Sequence, residues 1–196
     1  MRPPADNFWE FLDAPLRLRA RLLLIALIVP LLLSFLFPLW RISMTAPQYP
    51  QGLSMDIYSY QVLGGHEGRD VQEINTLNHY IGMHTITREE LRDLDWIPFG
   101  LVAMALLTLR AALLGNVRTL IDLSMIAGYI LVVAFGRFLW MLWEFGHHLD
   151  PKAPFKLEPF MPVVLGSKQL ASFLTHSMPQ LGSVMLGTFS VGVWAM

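Results

Sequence analysis

Two histidines and a methionine fall within six residues of a polar stretch, in the segment Asn75-Thr76-Leu77-Asn78-His79-Tyr80-Ile81-Gly82-Met83-His84. The chain has no cysteine. A metal bound here would meet thioether sulfur and imidazole nitrogen without thiolate, a donor set that suits copper better than zinc or an iron–sulfur cluster. His79 and Met83 are spaced i, i+4 and would share a face on a helix continuing that far. Gly82 is the natural end of such a helix, which would turn His84 elsewhere. His147 and His148, with Asp150 two residues on, offer two imidazoles and a carboxylate. His176 and Met178 flank Ser177 further along. A Cu(I) site drawing on His79, Met83 and His147 or His148 is chemically sensible; the leading expectation takes His79 and Met83 as primary ligands, with His84, His147 and His176 as secondary ones. Single His and Met residues near a membrane surface are more often packing or interfacial groups, and that bland reading stands beside the copper one.

The elements that must position these residues are mostly apolar. Of 196 residues 54% are hydrophobic and 15% charged, well below the charge content of about 25% usual in soluble domains. Leu22 to Trp40 is a run of 19 residues without a charge, about the length that crosses a bilayer as a helix. No small-x-small cleavage pattern follows it, so it reads as an uncleaved anchor. The net charge of −1 gives no reason to expect a nucleic-acid partner. Without cysteine, disulfides, thiolate sites and c-type haem attachment are excluded.

These features predict an all-α membrane protein of about four transmembrane helices, with a small α+β extracytoplasmic subdomain between the first two. The expected organisation is a cytoplasmic amphipathic N-terminus over 1–21, spans over 22–40, 97–115, 119–145 and 180–196, and a periplasmic subdomain over 41–96. Residues 146–178 form a periplasmic loop, with Val163 to Ser177 read as an amphipathic helix lying at the interface. Within 41–96, Ser54 to Val62 alternates like a strand and Gly64-Gly65 ends it. Asp70 to Tyr80 reads as a helix with Asp70 as N-cap. Thr87 to Glu90 matches a capping box opening a helix that ends near Trp96. Arg137 and Glu144 lie toward one end of the third span, where interface pairing or snorkelling accounts for them.

Arg2, Arg17, Arg19 and Arg21 cluster before the first span. By the positive-inside rule they favour a multi-pass protein of a bacterial inner membrane with both termini cytoplasmic. All six histidines then fall on the outer side. No phosphate loop, His-Glu-x-x-His or Gly-x-Ser-x-Gly pattern is present, so no catalytic activity is expected.

Three stretches resemble a group of poorly characterised bacterial membrane proteins associated with gene clusters for nitrous oxide reductase, a periplasmic copper enzyme. They are Ala46 to Leu53 (APQYPQGL), Ile74 to Met83 (INTLNHYIGM), and Gly146 to Phe155 (GHHLDPKAPF) continuing to Gly166 to Leu170. The resemblance spans most of residues 39–177. It highlights Asn78, His79, Met83, His147 and Asp150; where the family pattern has Asn, this chain has His148. It implies a context of copper-enzyme assembly more than an activity. The leading expectation is an accessory protein that assists copper handling or assembly of a periplasmic copper enzyme. The alternative is a non-catalytic structural subunit of a membrane electron-transfer complex, in which the Asn-His-Tyr-Ile-Gly-Met motif is a buried, hydrogen-bonded loop that shapes a docking surface. A weaker third reading is a quinone- or haem-contacting subunit using the aromatic end of span three.

Overall fold

The computed structural model describes residues 8–170 and 173–196. Residues 1–7 of the N-terminal segment, and Ser172 of the expected interface helix, lie outside the described residues.

Among the described residues six α-helices, five strands and one 3-10 turn (His66–Gly68, between β3 and α3) follow one another as α1 (Phe8–Asp13), α2 (Leu18–Leu33), β1 (Trp40–Ala46), β2 (Tyr49–Ile57), β3 (Val62–Gly64), α3 (Arg69–Ile81), α4 (Asp93–Leu114), α5 (Val117–His147), β4 (Gly166–Leu170), β5 (Phe173–Pro179) and α6 (Leu181–Trp194). The strands form one antiparallel sheet in the order β3-β2-β1-β5-β4.

The expectation of an all-α chain with about four spans is overturned. A five-stranded sheet is built from both ends of the chain, and its β4–β5 hairpin occupies the stretch read as an interface helix. The apolar residues there fit a helical face, and along the strand they do not alternate: Phe173 and Thr175 line the inner face, whereas Leu174 and Met178 are exposed. Pairing with β1, Trp40 against Pro179 through Thr45 against Leu174, decides for the strand. Sheet formation of this kind depends on partners distant in sequence more than on local propensity.

Among the described residues two helices, α4 and α5, are long and apolar enough to cross a membrane. This is the feature that points to membrane association. At a rise of 1.5 Å per residue, α2 would extend about 24 Å and α6 about 21 Å, short of the roughly 30 Å hydrocarbon layer. The charge-free run that suggested a span over 22–40 is divided: α2 stops at Leu33, and Trp40 opens β1 instead.

The four apolar helices share one core. Leu24 and Leu31 of α2, Met104 and Ala111 of α4, Leu123 and Ala127 of α5, and Phe189 and Val193 of α6 are all buried in it. Many outward apolar side chains remain exposed, including Leu22, Leu106, Val132 and Val191. At one end of this bundle the α4–α5 turn is sewn to the chain before α2. The Leu16 N–H donates to the Gly115 carbonyl at 2.7 Å, and Val117 to Ala14 at 3.0 Å. Arg21 donates from Nε and Nη2 to the carbonyls of Ala112 and Leu113, both at 2.7 Å, supplying a cation and two donors where α4 leaves carbonyls unpaired.

The sheet caps the other end. The Trp40 indole donates to Ser177 Oγ at 2.7 Å, the Ser177 hydroxyl to the Val164 carbonyl at 2.9 Å, and the Trp40 ring lies 5.0 Å from that of Phe138 on α5. Arg137, for which pairing or snorkelling at the interface was expected, pairs with Asp93 at the start of α4, at 3.0 Å. Glu144 pairs with His148 at 2.6 Å.

Candidate functional site

The Asn78–Met83 motif closes α3. Gly82 takes a left-handed conformation (φ 78°), which glycine adopts at least cost. The Met83 N–H returns to the Asn78 carbonyl at 2.9 Å, the closure expected of a Schellman helix end. The Asn78 side chain is buried and donates to the His84 carbonyl at 3.2 Å. One turn earlier, Asn75 is bound on both amide atoms: Nδ2 donates to the Ile86 carbonyl at 3.1 Å and Oδ1 accepts the Ile86 N–H at 2.6 Å. The backbone after the helix, 82–86, is thereby fixed by side chains from within the helix.

The segment after α5 docks on this loop. The Asp150 N–H donates to the Gly82 carbonyl at 2.8 Å and the Phe155 N–H to the Tyr80 carbonyl at 3.0 Å. Asp150 also holds its own turn through the Lys152 N–H at 2.8 Å. The third stretch, Ala46 to Leu53, is the turn and strand joining β1 to β2. It reaches the same helix, because the Tyr49 hydroxyl donates to Glu73 Oε2 at 2.6 Å. The three stretches that stand out in the sequence therefore meet around α3.

The expected metal ligands are placed as follows. His79 is exposed on α3 with its ring 6.3 Å from that of Tyr80; among the described residues its imidazole has no hydrogen-bond partner. Met83 is half-buried and lines a cleft. Gly82 ends the helix between them, so the two do not share a helical face. His84 sits 5.8 Å from the Phe145 ring with Nδ1 3.5 Å from Glu90. His147 stacks on Trp143 at 4.6 Å and donates from Nδ1 to the Trp143 carbonyl at 3.0 Å. His176 lies on the sheet opposite Ser43 and Ser167, with Nδ1 2.6 Å from Ser167 Oγ. Its strand neighbour Thr175 lines the cleft, so the pleat turns His176 to the other face. Among the described residues no group of three or more His, Cys, Asp or Glu side chains comes close enough to hold a metal ion. The donor set expected for copper is thus spread over a helix end, the end of α5 and the outer face of the sheet.

Two features escaped the sequence. Asp70, expected to cap α3, is instead a buried residue of its first turn, with Gly68 at the cap position, and it accepts the Ser54 N–H at 2.8 Å and faces His66 Nδ1 at 2.8 Å. The Gly-Gly-His-x-x-x-Asp spacing was its only signal. The other is the cleft itself, about 630 Å³, bounded by the inner face of the sheet, α3, α4, α5 and α6. Near it, the expected capping box forms a turn: hydrogen bonds to the Glu89 carboxyl, first from its own backbone N–H and then from Thr87, hold it below the usual carboxylate range. The helix proper starts at Asp93 and runs through Pro98 without interruption.

Comparison of the chain with protein-family models, curated proteins and solved structures returns no match.

Proposed function

We propose that the chain is a non-catalytic membrane accessory protein, and that the rigid surface around the end of α3 is where it docks another protein. The observation behind this reading is that Asn75, Asn78 and Gly82 all commit polar groups to the loop's own backbone or to the 150–155 segment. Such a motif shapes a surface at little further entropic cost on binding. On that surface Tyr80 is 47% exposed beside an exposed His79, and tyrosine is a residue type that concentrates binding energy at interfaces. The resemblance to proteins of nitrous oxide reductase clusters suggests the partner class, a periplasmic copper enzyme or a membrane electron-transfer complex. Arg17, Arg19 and Arg21, at the cap and in the first turn of α2, support an inner-membrane, multi-pass topology with both termini cytoplasmic and the sheet outside.

The test is co-purification of the full-length protein from its native membranes with the copper enzyme, comparing wild type with Tyr80→Ala. Loss of the enzyme from the Tyr80→Ala preparation, with thermal stability unchanged, is the expected result. Equal recovery with both, or with neither, counts against docking at this surface.

Copper handling is the second reading, favoured by one observation: the exposed His79 imidazole keeps its ring nitrogens uncommitted among the described residues. Competition of the purified protein against a chromogenic Cu(I) chelator decides it. Stoichiometric binding lost in both His79→Ala and Met83→Ala supports a copper site. Binding absent from the wild type removes copper handling by the isolated chain.

A further inference from the structure

The cavity of about 630 Å³ is within the usual range of roughly 300–1,000 Å³ for ligand sites. It is an open cleft, and several of its lining residues, Trp96, Tyr129 and Phe135 among them, are exposed. Its walls are almost wholly apolar. Ile42 and Met44 of β1 and Met55 of β2 line one side, while Ile130 and Val133 of α5 line another. The α5 residues lie in a helix apolar and long enough to cross a membrane. Ile130 and Val133 are themselves partly exposed, so the cavity runs from the layer of lipid-facing side chains up to the inner face of the sheet.

Three charged residues line it: Asp93, Arg137 and Lys168. Arg137 and Lys168 are exposed as well as cavity-lining, which places them at its rim. Asp93 neutralises one of them, and the rim keeps a net positive charge. Two donors of the Arg137 guanidinium are used on Asp93, and Lys168 Nζ donates once, to the Met161 carbonyl at 2.8 Å. With five donors on Arg and three on Lys, both keep N–H groups for an anion.

An apolar cleft open toward the bilayer and rimmed by cations matches an amphiphile with a hydrocarbon chain and an anionic head. We propose that the cavity takes an acyl chain of an anionic membrane phospholipid, with the phosphate held by Arg137 and Lys168. This site is separate from the surface at the end of α3, and its occupancy does not depend on the docking reading.

Gly100 provides a clean probe. It lines the cavity, and a Cβ built on it meets nothing within 4 Å, so Gly100→Phe places a ring in the cavity without displacing protein atoms at its root. The experiment is native mass spectrometry of the full-length, delipidated protein, titrated in detergent with dioleoyl phosphatidylglycerol, dioleoyl phosphatidylcholine or inorganic phosphate. Wild type is expected to hold one phosphatidylglycerol, about tenfold more tightly than phosphatidylcholine, whose phosphate is the same but whose choline cation is repelled by the cationic rim. The R137Q/K168Q double variant should still bind but lose that preference. Gly100→Phe should lose the bound lipid while its circular dichroism and melting temperature are kept. Lys168→Gln alone, at an exposed position, guards against misfolding of the double variant and should lower the preference in part. Equal binding of the two lipids by wild type overturns the headgroup assignment. Retention of lipid by a folded Gly100→Phe overturns the cavity assignment. Displacement of phosphatidylglycerol by inorganic phosphate overturns the role of the chain.

Discussion

The Asp150 N–H donates to the Gly82 carbonyl at 2.8 Å, so the chain leaving the long helix α5 is hydrogen-bonded to the end of the short helix α3. Gly82 is suited to this in two ways. Its φ of 78° is left-handed, and a methyl group there would lie 2.9 Å from the Asp150 carbonyl oxygen and 3.0 Å from the Ala153 Cβ. Gly82→Ala is expected to cost about 1–2 kcal/mol for the backbone conformation alone, and more as the 150–155 segment is pushed off. Thermal melts in detergent, with limited proteolysis of that segment, read both effects. Gly82→Asn separates them, because asparagine tolerates the left-handed region but still carries a Cβ. Recovery of stability in Gly82→Asn assigns the loss to conformation; no recovery assigns it to the contact.

Tyr49 and Glu73 join the β1–β2 hairpin to α3, and the hydrogen bond exists only while the phenol keeps its proton. The bond to Glu73, with some desolvation and the carboxylate charge, raises the Tyr49 pKa above its ordinary 10.0. A raised folded-state value means that the contribution is fully present below about pH 10 and is lost as pH climbs through the folded value. The melting temperature of the wild type should therefore fall above pH 10 by more than that of Tyr49→Phe. At pH 7 the variant should be the less stable of the two. Parallel decline of both proteins at high pH would assign the alkaline loss to other groups.

The parts legible in the sequence were those decided locally. Gly82 announces the end of α3 and does end it; the strand expected over Ser54 to Val62 forms only to Ile57, as the end of β2, and the chain turns back into β3, which contains Gly64 rather than stopping before it. What was not legible depends on distant partners. The stretch 166–179 has enough spaced leucine and phenylalanine to pass for an amphipathic helix until β1 supplies a strand beside it. Arg137 sits seven residues from Glu144 on its own helix, yet its partner is Asp93 on another. The cavity draws its walls from strands and helices throughout the chain, and no window of sequence carries its signature. Of the expected metal ligands, the i, i+4 spacing of His79 and Met83 was read correctly as spacing, but the helix ends before it can become a shared face.

Ser59 is fully buried, and its hydroxyl has no hydrogen-bond partner among the described residues. Leaving a buried polar group unsatisfied costs about 1–3 kcal/mol. Ser59→Ala removes the group with little change of volume and should raise the unfolding free energy by up to about that amount, measured by denaturant titration in mixed micelles. A loss of stability would show that the hydroxyl is satisfied by water.

Arg21 gives the last prediction, because its two possible roles make different demands on charge. As one of a cluster of arginines it would act on topology through charge alone, and lysine would serve equally. In the folded chain, however, its guanidinium donates to two successive carbonyls, Ala112 and Leu113, at the end of α4. Gly115, left-handed at φ 64°, passes so close that a Cβ would come within 2.7 Å of Arg21 Nε. The planar fork matches two acceptors at fixed separation, whereas a lysine ammonium is a point charge on a flexible stem. Arg21→Lys should keep orientation but lose one of the two hydrogen bonds, costing about 1.5–3 kcal/mol for a charged donor. Arg21→Gln should lose more, since the favourable charge at the helix end goes too. Cysteine-accessibility mapping of orientation, run beside thermal melts of the same variants, checks the split. Unchanged melting in Arg21→Lys would mean that charge at the α4 terminus, and not the fork, stabilises the junction.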